Sequence, residues 1–106
     1  MGLGVLREAT MTSQEAMKIK RLVELCLQIN VFGKREVDFR LYPHIQTIDI
    51  EVCEGQWEKD KPIKSYSCYY DYEKDERLAG SELVQTYQEV VEVLEKILKE
   101  DMLIWG

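Results

Sequence analysis

From Leu83 to Leu98 the apolar residues Leu83, Val84, Tyr87, Val90, Val91, Leu94, Ile97 and Leu98 recur every three or four positions, with Glu89, Glu92, Glu95 and Lys96 between them. That period places them in one stripe along one helix. A stripe of that width must be covered, either by a sheet of the same chain or by a second subunit. The helix is expected to end near Asp101, leaving Met102 to Gly106 as an apolar tail at the core's edge or in a dimer contact.

A second helical period lies near the other end. Thr12 or Ser13 suits an N-cap, and Glu15 falls in the first turn, where a carboxylate favours the helix dipole. Ala16, Ile19, Leu22, Val23, Cys26 and Ile29, with Leu27 at the margin, form its stripe, and Asn30 and Gly33 suit its termination. Lys34 and Arg35 then fall in the exit loop.

Between the helices the period drops to two. Val37, Phe39 and Leu41 alternate with Asp38, Arg40 and Tyr42, and after a turn at Pro43 and His44, Ile48, Ile50 and Val52 alternate with Thr47, Asp49 and Glu51. Glu54 to Lys64 reads as a polar hairpin loop carrying Trp57. A third strand over Ser65 to Tyr72 sets Tyr66, Cys68, Tyr70 and Tyr72 opposite Ser65, Ser67, Tyr69 and Asp71, and Glu73 to Gly80 reads as a loop. Each strand has one greasy face, and the connections are short. The expected fold is therefore α+β: helix, three-stranded antiparallel meander, helix, with both helices packed on one face of the sheet. Residues 1–11 are expected to form a flexible leader and residues 12–106 a single domain.

No apolar run approaches the roughly 20 residues that span a bilayer, and the N-terminus lacks a basic leader and h-region, so a cytoplasmic protein is expected. Cys26, Cys53 and Cys68 match no zinc spacing and read as reduced, space-filling residues. Charge is uneven. Residues 1–35 carry a net of +3, residues 36–70 a net of −3 and residues 71–106 a net of −6.

The chemical constellations are thin. His44 is the only histidine, so neither a hydrolase triad nor a histidine-rich metal centre can be assembled, and a Cys–His pair would need His44 beside Cys53. Asp71, Glu73, Asp75 and Glu82 echo the spacing of a calcium-binding loop, but Glu76 stands where that loop requires glycine. No glycine-rich phosphate loop is present. No enzyme, cofactor or metal is expected. The helix–three-strand–helix order resembles the double-stranded RNA-binding domain in topology. That family carries a lysine cluster at the start of its last helix, where this chain has Glu82 and Glu89, so direct nucleic-acid binding is not expected. The small cluster Lys18, Lys20, Arg21, Lys34 and Arg35 reads as a solvated face.

The stretch YPHIQTIDIEVCEGQW followed by SYSCYYDYE, with the size, acidity and helix–meander–helix plan, resembles small phage and prophage proteins of Gram-positive bacteria. The resemblance implies an inhibitor of host defence of the anti-CRISPR or anti-restriction kind, acting in the host cytoplasm. Such a protein presents carboxylates where a nuclease expects phosphates. The expected partner is then a basic nucleic-acid-binding protein such as a Cas nuclease, met by Asp49, Glu51, Asp71, Glu73, Asp75 and Glu76 with Tyr69 and Trp57 as anchors. The alternative is a homodimeric assembly module of phage or prophage origin, with acidity serving solubility.

Overall fold

A computed structural model describes residues 11–54, 63–80 and 83–105. Helix α1 (Ser13–Phe32) opens at a capping box: Thr12 Oγ1 accepts the Glu15 N–H, and the Glu15 carboxylate accepts the Thr12 N–H. It closes on Gly33, whose φ of 72° is the left-handed conformation that glycine adopts without steric cost. Strands β1 (Arg35–Tyr42), β2 (Thr47–Glu54) and β3 (Ile63–Tyr69) follow as an antiparallel meander in the order β1-β2-β3. Pairing runs without a bulge from Arg35↔Glu54 to Tyr42↔Thr47, and from Thr47↔Tyr69 to Cys53↔Ile63.

The α+β plan is as expected from the periods. Val37, Ile48, Ile50, Val52, Cys68 and Tyr70 share one face of the sheet. They are buried beneath Leu22, Leu25, Cys26 and Ile29 of the first helix and Val90, Val91, Leu94 and Ile97 of the last. That single layer of apolar contact between helices and sheet is the core. Met11, placed by the sequence in the leader, packs against it.

The largest differences from the sequence reading fall at three boundaries. Tyr72–Leu78, expected as strand end and loop, is a short helix, α2, capped by Asp71, whose side chain accepts the Lys74 N–H. The apolar period upstream does not begin the last helix: α3 is Tyr87–Trp105, and Leu83 stands 85% exposed. Its start is fixed by a second capping box, in which Thr86 Oγ1 accepts the Glu89 N–H and Glu89 accepts the Thr86 N–H. Finally, α3 runs on through Met102 and Leu103 where a tail was expected. Within this last stretch Asp101 is buried and accepts a hydrogen bond from Arg35.

Each sheet edge is closed at one position by an amide side chain. On the β1 edge Asn30 Oδ1 accepts the Val37 N–H, while Asn30 Nδ2 donates to the Val37 carbonyl. On the β3 edge the Gln85 side-chain oxygen Oε1 accepts the Ser67 N–H, and the Gln85 backbone N–H donates to the Ser67 carbonyl. Both devices satisfy backbone groups that an edge strand would otherwise offer to another chain.

A candidate protein-binding face

With both long helices on one side, the other side of the sheet is open. Four cross-strand rows traverse it from β1 through β2 to β3: Glu36–Cys53–Ile63, Asp38–Glu51–Ser65, Arg40–Asp49–Ser67 and Tyr42–Thr47–Tyr69. Four carboxylates thus share the face with one cation. Asp38 and Glu51 stand directly opposite one another, an arrangement in which like charges destabilise a strand pair.

The face is ordered by short polar contacts. Ser67 Oγ donates to Asp49 Oδ1 at 2.6 Å, fixing that carboxylate on the row it shares with Arg40. The Arg40 guanidinium lies 3.6 Å from Glu51 Oε1 and is exposed. A hydrogen bond with Tyr42, then the charges of Glu51 and Asp38, raise its pKa above the ordinary value. Tyr42 also meets His44 edge-on, with ring centroids 6.4 Å apart. The two tyrosines thus share the row at one end of the face, and the carboxylates occupy the rows beside it.

Of the residues nominated from sequence, Asp49, Glu51 and Tyr69 come together on this face. Asp71, Glu73, Asp75 and Glu76 do not join it. They belong to α2 and its cap, which sits at the end of the sheet where Lys74 Nζ reaches the Ile45 carbonyl at 3.4 Å. Two of these four carboxylates have local duties. Asp71 caps α2, and Asp75 Oδ1 accepts the Tyr87 N–H at 2.9 Å, capping α3. Glu73 and Glu76 are exposed. Trp57 lies outside the described residues, as does Glu82. Glu36 was missed as a member of the face, although its place before Val37 in the alternation gives it the same parity as Asp38.

The basic N-terminal cluster is mostly engaged within the molecule. Arg21 pairs with Glu95 at 2.7 Å, Lys20 lies 4.0 Å from Glu24, and Lys18 Nζ sits 5.0 Å above the Tyr87 ring and 5.8 Å above that of Tyr72. Arg35, expected in a loop, is the first residue of β1 and points under the C-terminal end of α3. There it donates to Asp101 Oδ1 and Glu54 Oε2, each at 2.8 Å, and to Glu100 and the Ile97 carbonyl, each at 3.4 Å. Burial works against its charge, but the Glu54 hydrogen bond and the charges of Asp101, Glu54 and Glu100 outweigh that cost and raise its pKa.

His44 and Cys53 lie at opposite ends of β2, separated by about 20 Å at the usual rise per strand residue. All three cysteines are thiols. Burial drives the Cys26 and Cys68 thiols up to about 12. Among the described residues, no three acidic, cysteine or histidine side chains converge as a cation's ligands would. Nor is any described helix long and apolar enough to cross a membrane. No family model, curated protein or solved structure matches the chain.

Proposed function

We propose that this protein is a non-catalytic binding module whose open sheet face docks on the basic surface of a nucleic-acid-binding protein. The observation that carries the reading is the Asp38–Glu51 row, flanked by Glu36 and Asp49 and relieved, among the described residues, by Arg40. Placing like charges opposite one another costs a strand pair stability. A basic partner recovers that cost by adding counter-charges, and Tyr42 and Tyr69 supply apolar area beside it. In its most specific form the partner is a defence nuclease of the CRISPR or restriction kind, and the carboxylates occupy phosphate positions in its channel.

The test is cleavage of DNA by a panel of purified Cas and restriction nucleases with the protein added, at low and at high salt. Inhibition at low salt that fades at high salt, and that is lost in Asp38→Lys/Glu51→Lys, is the expected result. Inhibition that ignores both salt and charge reversal overturns the mimicry, and no inhibition by any member of the panel overturns the nuclease form.

A second reading rests on a different surface. Val31, 82% exposed, with Phe32, Leu98 and Met102 lines an apolar groove between the parallel C-terminal ends of α1 and α3. Exposed grease on two adjacent helices suits a homodimer built there. Sedimentation at increasing concentration decides it: dimerisation that Met102→Glu abolishes supports this reading, and a monomer throughout removes it.

A further inference from the structure

The β1 edge is closed at Val37 and open beyond it. Pairing with β2 is regular, so residues whose N–H and C=O point away from β2 alternate along β1. Val37 is one, because Asn30 bonds both its groups from outside. Phe39 and Leu41 are therefore the next two, and among the described residues nothing caps either. Four backbone hydrogen-bonding groups face outward over one short stretch, which is the template for strand addition.

The surroundings specify what fits. On the helix side Phe39 and Leu41 are half-buried, and Leu27, 59% exposed, lies one turn before Asn30 on the same flank of α1. Side chains of an added strand that point this way meet an apolar wall. On the open-face side the added strand lies beside Asp38, Arg40 and Tyr42. Arg40 is already engaged with Glu51 and Tyr42, whereas Asp38 has a second carboxylate across from it and no ion pair among the described residues. A cation opposite Asp38 answers both carboxylates.

We propose that the β1 edge at Phe39–Leu41 takes an extended segment of the basic partner as a fourth strand, with apolar residues toward α1 and a lysine or arginine opposite Asp38. This rests on the protein-binding reading above and names the form of the partner that the face meets.

A short peptide of alternating lysine and valine, added to the full chain, is the probe, read by amide hydrogen exchange and chemical shift. The Phe39 and Leu41 amides should gain at least about tenfold protection, while those of Asp38 and Arg40, already turned toward β2, should not change. N-methylation of the peptide at its edge-facing residues should weaken binding about tenfold without altering its charge. Asp38→Lys should weaken it about threefold at low salt and leave it unchanged at high salt. Shifts confined to the open face, with Phe39 and Leu41 unprotected, overturn the edge proposal and leave the binding face standing. Equal binding of the N-methylated peptide, or no binding at all, likewise overturns the proposal. Protection of the same amides without peptide, growing with protein concentration, assigns the edge to a second copy and overturns it too. Binding indifferent to both salt and Asp38→Lys overturns the acidic-face reading itself.

Discussion

Replacing Arg35 with methionine removes the cation from beneath α3 and leaves Asp101 almost alone. Asp101 is 1% exposed, and its Oδ2 already has no hydrogen-bond partner, so the 2.8 Å bond from Arg35 to Oδ1 is what holds the charge in place. Deleting one member of a buried ion pair costs about 3–5 kcal/mol, because the other is left desolvated and uncompensated. A domain of this size is stable by about 5–15 kcal/mol, so Arg35→Met removes roughly a fifth or more of the total. Asp101→Asn is milder: the amide oxygen still accepts from Arg35, and Glu54 and Glu100 remain beside the guanidinium. A cost of about 1–2 kcal/mol is expected. The double change Arg35→Met/Asp101→Leu removes both charges from the site, and swapping such a pair for apolar side chains of similar volume is often neutral or stabilising. It should therefore be markedly more stable than Arg35→Met alone. Urea unfolding followed by circular dichroism gives the four midpoints, with the slope checked for constancy. An Arg35→Met cost below about 1 kcal/mol, or a double variant no more stable than Arg35→Met alone, refutes the buried-pair account.

Further outcomes follow from the core, the edges and the face. Leu94 is fully buried, so Leu94→Ala should cost about 2–5 kcal/mol in the same assay. Asn30→Ala deletes two bonds to Val37 and one to the Cys26 carbonyl, which should cost about 1–3 kcal/mol and speed exchange at the Val37 amide. Above pH 9.0 the unfolded chain loses thiol protons that native Cys26 and Cys68 keep until about pH 12. The native state then binds more protons, so stability is fully present below pH 9 and falls as pH rises, by at most about 1.4 kcal/mol per unit for each thiol. Cys68→Ala should show a shallower alkaline slope of melting temperature, and parallel curves would contradict the assignment. Asp38→Thr removes a like-charge row and places a strand-favouring residue there, so it should raise the urea midpoint while weakening any basic partner.

The fold was legible where period alone decides. Val37, Phe39 and Leu41 against Asp38, Arg40 and Tyr42 dictate which side of β1 faces the helices, and register follows because a one-residue slip would expose every buried residue. The start of α3 was not legible from grease, since Leu83 and Val84 continue its stripe by coincidence. The signal was Thr86–Glu89, whose side-chain bonds outweigh two apolar residues in fixing the first turn. Helix α2 was hidden because none of its residues is buried: it stands on the Asp71 cap and on contacts at the end of the sheet. The Arg35–Asp101 pair joins residues 66 apart in the chain, and no local rule relates them. The open face was half legible. Alternation gives its members, but that α2 and its carboxylates turn away from it depends on where Asp71 ends β3 and begins a helix.

The separation of core from face gives the proposed function its physical footing. Every core residue in β1 and β2 is out of phase with the carboxylates, and the two helices cover only the apolar side. Charge on the open side is therefore set by a different set of residues from those that hold the fold, and each set can change alone. Opposite charges set directly across a wet face stabilise a strand pair. Here Asp38 faces Glu51 across the strands, and Arg40, which could have stood opposite Glu51, is displaced one row to face Asp49 instead. Exchanging Asp38 and Arg40 would preserve composition, alternation and core, setting a cation opposite Glu51 but moving the like-charge row to Asp49. The like-charge row of Asp38 and Glu51 lies where β1 meets β2, beside the outward-facing backbone of Phe39 and Leu41, and that is where the proposed basic strand would add its counter-charge.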